Sequence, residues 1–116
     1  MDENVFRGMA AATLENIDDV VVDVCDEMPG FDSTLADGVL GIHLGGDMGT
    51  FVMNIQAPNR QVWLSSPTSG PARFNFESDT RTWRNNREPE QMLEALLSEE
   101  LTELTGERIE IEPVDL

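Results

Sequence analysis

The chain is poor in several residue types, and each shortage excludes a class of protein. One cysteine among 116 residues rules out an intramolecular disulfide and a zinc site built from cysteines. One histidine leaves few imidazole ligands for a tight transition-metal site. No apolar run approaches the length of a membrane span, and nothing resembles a signal peptide. The acidic start MDENVF lacks the Arg-rich character of a transit peptide, so we expect such a segment to be absent or already removed.

Positive charge is the scarcest feature of the chain. Lysine is absent, and seven arginines face 23 acidic residues, for a net charge of -16. Nucleic acid and anionic membranes would repel such a chain, so cations and basic protein surfaces are its natural partners. The alternative is that the acidity only keeps the protein soluble. At 116 residues and 40% hydrophobic content, we expect one folded domain over 1–116.

From Gly8 to Asn59 the chain has nine acidic residues and no lysine or arginine. Residues 4–28 have helical periodicity and are followed by Pro29-Gly30. The apolar arc of this helix contains Leu14, Ile17, Val20, Val21, Val24, Cys25 and Met28. The opposite arc carries Glu15, Asp19, Asp23 and Asp26, with Asp18 and Glu27 at its edges. Like charges four residues apart repel each other, and no basic residue is interleaved, so this surface favours a cation or a basic partner.

Short strand-like segments follow, at 38–44, 50–56, 61–66, 72–76 and 80–84. A second helix is predicted to begin near Glu88-Pro89 and to end at Gly106, and residues 107–112 form an extended segment. Helix, hairpin-linked strands and helix, in that order, predict an α+β fold. Its two helices pack on one face of an antiparallel sheet of about five to seven strands.

Trp63 lies in the run QVWLSS, where alternate residues point to opposite faces of the sheet. If Val62 and Leu64 face the helices, Trp63 faces outward and meets its amide neighbours Asn54, Gln56 and Gln61. An exposed tryptophan among amides is typical of a protein contact. The alternatives are a bulge that returns the indole to the core, and an exposed aromatic residue without a binding role.

The segment 54–74, NIQAPNRQVWLSSPTSGPARF, closely resembles the central sheet of the frataxin family, especially its mitochondrial members. The resemblance extends over nearly the whole chain. It implies the frataxin α-β sandwich and a mitochondrial matrix protein that binds iron weakly and assists iron–sulfur cluster assembly. In that role it docks on the complex of cysteine desulfurase and scaffold protein. The resemblance also implies iron delivery to ferrochelatase for haem synthesis, and a monomer that forms oligomers with iron.

Two sets of site residues follow from the resemblance. The first, here named the acidic ridge, would bind Fe²⁺ or Fe³⁺ and consists of Glu15, Asp18, Asp19, Asp23, Asp26, Asp32 and Asp37. The second, here named the docking face, would bind the partner complex and consists of Asn54, Gln56, Gln61, Trp63 and Arg73. Ile55 stands where many mitochondrial relatives have lysine, and this leaves one polar contact open. Ala12 and Val22 stand where relatives often have acids.

The residues offer little for catalysis. Carboxylates alone suit hard cations and bind Fe²⁺ with little selectivity. His43 lies on a strand and is interpreted as a surface residue, and Cys25 as a buried thiol. No Ser-His-Asp set or phosphate loop occurs. Two hypotheses remain: a regulatory iron binder that activates cluster assembly, and a ferroxidase that stores iron by oligomerising.

Overall fold

The computed structural model describes all 116 residues as two helices and one six-stranded sheet. The elements are α1 (Glu3–Cys25), β1 (Asp32–Ala36), β2 (Val39–His43), β3 (Thr50–Gln56), β4 (Gln61–Ser66), β5 (Gly70–Glu77), β6 (Thr82–Asn85) and α2 (Leu93–Thr105). Every strand pairs antiparallel with its neighbour in the chain, in the order β1 to β6. The predicted fold class is therefore confirmed, with six strands. No helix is long and apolar enough to cross a membrane.

Helix α1 begins at an aspartate cap, where Asp2 Oδ1 accepts the N–H of Asn4 at 2.6 Å. The helix ends at Cys25, three residues before the predicted end. Met28 precedes Pro29, and a residue before proline is disfavoured in the helical conformation, so 26–28 form a turn instead. The predicted inner arc is confirmed, since the side chains fully buried on it are Leu14, Ile17, Val21 and Cys25.

Strand β1 was not predicted. It is an edge strand paired only with β2, and four of its five side chains are exposed. A strand without a buried face shows no alternation of apolar and polar residues, so the sequence carries no periodic signal for it. The strand predicted at 38–44 is β2.

The hairpin of β3 and β4 forms the centre of the sheet. Phe51 and Met53 on β3, and Val62 and Leu64 on β4, are buried beneath the helices as predicted. The connection is a single 3₁₀ turn, after which Arg60 adopts the left-handed conformation with φ of 53°. The alternation is unbroken through β4, so the outer positions of this hairpin face away from both helices.

Trp83 on β6 is the central aromatic residue of the core and is only 1% exposed. Its ring packs edge-on against Phe6 of α1 and Phe76 of β5, with centroid distances of 5.8 Å and 5.3 Å. Its indole N–H donates to Thr13 Oγ1 at 2.8 Å. The two tryptophans of the chain thus occupy opposite faces of the sheet.

Helix α2 begins at Leu93, after the predicted start. The preceding residues are held beside β6: the N–H of Asn85 donates to the carbonyl of Gln91 at 3.0 Å, and Met92 forms an isolated bridge with Arg84. Because this segment extends the sheet edge, residues 88–92 cannot be helical.

The C-terminal segment crosses the helical layer without joining the sheet. Gly106 ends α2 with φ of 75°, as predicted for a glycine cap. Ile109 and Ile111 are then buried, and their N–H groups donate to Thr102 Oγ1 at 3.0 Å and Ser98 Oγ at 2.9 Å. Two hydroxyls of α2 therefore replace the strand partner that this extended segment lacks.

Candidate docking face and acidic ridge

The structure brings the five side chains of the docking face together on three neighbouring strands. Trp63 on β4 is in register with Asn54 on β3 and Arg73 on β5, so these three form one row across the sheet. Gln56 and Gln61 are paired in the row beside it. All five lie on the side of the sheet away from the helices, and Trp63 is partly exposed there, as predicted.

Trp63 is held from two sides. The guanidinium carbon of Arg73 lies 4.3 Å from the centroid of the indole, a cation–π contact. The indole N–H donates to Gln61 Oε1 at 2.8 Å. Arg73 itself has no carboxylate within 4.0 Å, since the three ion pairs of the chain involve Arg7, Arg84 and Arg108. The row therefore presents a fixed aromatic ring beside a positive charge that has no acidic neighbour.

Asn54 carries an unsatisfied group on this face. Its Oδ1 is buried and has no hydrogen-bond partner within the chain. The side chain lines a shallow hollow of about 250 Å³ together with Val52, Trp63 and Arg73. A buried acceptor without a donor costs about 1–3 kcal/mol, so this amide oxygen is a locally unfavourable group on the face.

Two exposed valines extend the docking face and were not predicted. Val39 is 41% exposed and stands opposite Asn54, and Val52 is 38% exposed two residues before it. Alternation along β3 puts position 52 on the same face as Asn54, so Val52 could have been found from the sequence. Val39 could not, because the predicted strand fixed neither its register nor its partner.

Ile55 lies on the face of the sheet opposite to the docking face. It shares its face with Met53, packs against the core, and lines a hollow of about 200 Å³ on the helical side. Glu15 of α1 and Asp37 of the β1–β2 turn line the same hollow. A lysine at position 55 would lie near these carboxylates, so isoleucine removes a positive charge from the acidic ridge and takes nothing from the docking face.

The helical part of the acidic ridge is an uncompensated row of charge. Glu15, Asp19, Asp23 and Asp26 are all exposed on the outward side of α1. None of them lies within 4.0 Å of an arginine. Their mutual repulsion is therefore relieved only by solvent, salt or a bound cation.

The other members of the ridge join α1 to the edge of the sheet. Asp18 is half-buried, and its Oδ1 accepts the hydroxyl of Ser33 on β1 at 2.9 Å. Asp32 is exposed at the start of β1, and Asp37 is exposed with φ of 54°. Asp18 thus has a structural bond within the chain, whereas the other two carboxylates are free to meet a cation.

The ridge does not contain a preassembled coordination sphere. No group of three or more histidine, cysteine, aspartate or glutamate side chains is arranged to hold a metal ion. A cation on this surface would take few protein oxygens and would keep several waters. This arrangement is typical of weak and unselective binding.

The remaining ligand types are one imidazole and one thiol, and both stand beside members of the ridge: His43 is opposite Asp32 on the neighbouring strand, and Cys25 precedes Asp26. His43 is exposed, as predicted, and its Nδ1 lies 2.8 Å from Thr50 Oγ1. Cys25 is fully buried, as predicted, and burial raises the pKa of its thiol, with smaller contributions from the charges of Glu107 and Asp26. A buried thiol of raised pKa is a poor nucleophile and a poor ligand.

One buried carboxyl belongs to neither surface. Glu94 in the first turn of α2 is 1% exposed, and its Oε1 has no hydrogen-bond partner. Burial raises the pKa of this carboxyl, against a smaller opposing effect of a backbone hydrogen bond.

The sequence and the fold of this chain are matched by known proteins. The model of the frataxin-like domain matches residues 1–107. The chain belongs to the frataxin family. A protein of Arabidopsis thaliana named mitochondrial frataxin is 40% identical over 113 residues, which are 96% of this chain and 59% of that protein. This chain therefore spans less than two thirds of that relative.

Solved frataxins confirm the architecture. The frataxin of Psychromonas ingrahamii superposes with a TM-score of 0.79 at 16% identity, covering 97% of this chain and 99% of that one. The trimeric frataxin of the yeast Saccharomyces cerevisiae, complexed with ferrous iron, has a TM-score of 0.67 at 29% identity, covering 92% and 88%. The resemblance seen in the segment 54–74 is confirmed, and so is its mitochondrial type, by the name of the plant relative.

Proposed function

We propose that this frataxin binds ferrous iron weakly on its acidic ridge and assists iron–sulfur cluster assembly by docking on a cysteine desulfurase–scaffold complex. The observation that carries the proposal is the row of Asn54, Trp63 and Arg73 on the outer face of the sheet. On docking, it would stimulate sulfur transfer and deliver iron. Its place of action would be the mitochondrial matrix, with ferrochelatase as a second recipient of iron.

The docking face has the composition of a binding hot spot. Tryptophan and arginine are the residues most enriched at such centres, where a few side chains supply most of the affinity. Val39 and Val52 add exposed apolar area around Trp63. A fitting partner would offer an apolar surface for the indole and an acidic group for Arg73.

The two surfaces lie on different sides of the molecule. The helical part of the acidic ridge is on the outward side of α1, which packs on the inner face of the sheet, and the docking face is on the outer face. A cation on the ridge therefore need not compete with a partner on the sheet. Iron in this proposal is cargo held by surface carboxylates, with micromolar or weaker affinity because few ligands converge.

A second function, iron oxidation and storage by oligomers, is supported by the trimeric yeast relative complexed with ferrous iron. In this chain, oxidation would have to occur on iron held at the ridge. Anaerobic titration with Fe²⁺ followed by admission of oxygen separates the two functions. Stoichiometric binding by a monomer supports the assembly role, whereas catalytic turnover with oligomer growth supports storage.

Amide NMR tests where the cation binds. We expect Fe²⁺, Mn²⁺ or Co²⁺ to perturb residues 15–37 selectively. Perturbations centred on His43 and Cys25, with the acidic ridge unaffected, would overturn this part of the proposal.

A further inference from the structure

The hydrogen bonds of Trp63 continue one residue beyond the docking face. Gln61 Oε1 accepts the indole N–H at 2.8 Å, and the same amide donates through Nε2 to Asn75 Oδ1 at 2.9 Å. Asn75 lies on β5 directly opposite Gln61, so the register of the two strands fixes this contact. The three side chains form a relay in which each donor meets an acceptor: the indole N–H meets Gln61 Oε1, and Gln61 Nε2 meets Asn75 Oδ1.

This relay determines which way the Gln61 amide points. A glutamine amide can present either its oxygen or its nitrogen to a neighbour, and only the oxygen can accept the indole N–H. The acceptor Oδ1 of Asn75 takes the Nε2 end, which leaves the oxygen end for Trp63. With Arg73 over the ring at 4.3 Å, the indole is fixed both at its polar edge and over its face.

We propose that Asn75 is a positioning residue for docking: through Gln61 it holds the Trp63 indole in one orientation with its N–H already satisfied. The partner cavity that receives the ring is then apolar and needs no acceptor for the indole N–H. This inference rests on the proposed docking function. It deepens that function by assigning a residue that does not itself have to touch the partner.

The first experiment requires no partner. The chain has two indole N–H signals, from Trp63 and Trp83, and Trp83 is an internal reference because it donates to Thr13 in the core. We expect Asn75→Ala to shift the Trp63 signal and to speed its exchange with water, while the Trp83 signal stays unchanged. Asn75→Asp keeps an oxygen acceptor for Gln61 and should restore the Trp63 signal.

The second experiment measures affinity for a cysteine desulfurase–scaffold complex. Loss of one orienting hydrogen bond should weaken binding by about two- to tenfold in Asn75→Ala, and Asn75→Asp should recover most of it. Asn4→Ala is the matched control, since Asn4 is exposed on α1 and its side chain makes no hydrogen bond. It should bind like the parent.

A double variant tests whether Asn75 acts through the indole. Trp63→Phe keeps a ring but has no N–H, so adding Asn75→Ala to it should change affinity by less than about twofold. An unchanged Trp63 indole signal in Asn75→Ala overturns the inference, as does an equal loss of binding in the Trp63→Phe background. If Trp63→Ala itself leaves binding intact, the docking proposal fails instead, and the indole signals alone then decide whether the relay exists.

Discussion

Replacing each tryptophan with alanine should have different effects on stability and on partner binding. Trp83 is 1% exposed and packs on two phenylalanines, so Trp83→Ala should lower the free energy of unfolding by about 3–5 kcal/mol. Trp63 is partly exposed, and its main contacts are one hydrogen bond and one cation–π contact. These are worth about 0.5–1.5 kcal/mol and about 0.5–1 kcal/mol, so Trp63→Ala should lower stability by about 1–2.5 kcal/mol.

Partner binding should be affected in the reverse order: Trp63→Ala should weaken it more than Trp83→Ala does. Truncating a hot-spot tryptophan loses about 2 kcal/mol or more of affinity, which is a factor of about 30 in Kd. Trp63→Ala should therefore fold, bind Fe²⁺ on the ridge normally and fail to stimulate the desulfurase complex. Asn54→Ala should show a milder version of the same separation.

Urea denaturation and desulfurase stimulation, measured on the same preparations, test the pair of variants. Trp83→Ala should be destabilised, and its folded fraction should still stimulate the complex. The reasoning is refuted if Trp63→Ala loses stability on the scale of Trp83→Ala while its folded fraction remains active.

Three further predictions follow from the charges and the buried groups. Replacing Asp19 and Asp23 together with asparagine should raise the melting temperature at low salt and weaken Fe²⁺ binding, because repulsion between exposed acids is removed; a lower melting temperature with intact affinity would contradict it. Glu94→Gln should raise the free energy of unfolding at neutral pH, because burial disfavours the ionised carboxylate and glutamine cannot ionise. Because the pKa is raised in the folded state, ionisation of Glu94 destabilises the fold as pH rises through that pKa, so the gain from Glu94→Gln should vanish below the ordinary value of 4.5. Denaturation at several pH values measures this gain, and a gain that does not change with pH would contradict the prediction. Cys25 should resist a thiol reagent at pH 8 in the native protein and react in urea; rapid native labelling would show that the thiol is accessible.

The sequence predicted the parts of the fold that have a periodic apolar pattern. The buried arc of α1 and the inward residues Met53 and Leu64 repeat at helical or strand spacing, so their directions follow from geometry. Strand β1 has no buried face and was therefore missed. The start of α2 was placed too early because Gln91 is held by Asn85, a tertiary contact without a local signal.

The sequence predicted which residues belong to the candidate site, but not the contacts that depend on the register of neighbouring strands. Alternation and the resemblance to frataxins located the five residues of the docking face. The sequence could not show that Asn54 Oδ1 lacks a donor, or that Asn75 lies behind Gln61. The effect of Ile55 depends on its face: its neighbours Asn54 and Gln56 point outward, so Ile55 points inward and takes no part in the docking face.

The most direct test of the account is the rate of sulfur transfer by a cysteine desulfurase–scaffold complex, with and without this protein. We predict that adding the protein raises the rate until the complex is saturated, and that Trp63→Ala at the same concentration does not. An unchanged rate at concentrations where the protein is bound to the complex would contradict the proposed function.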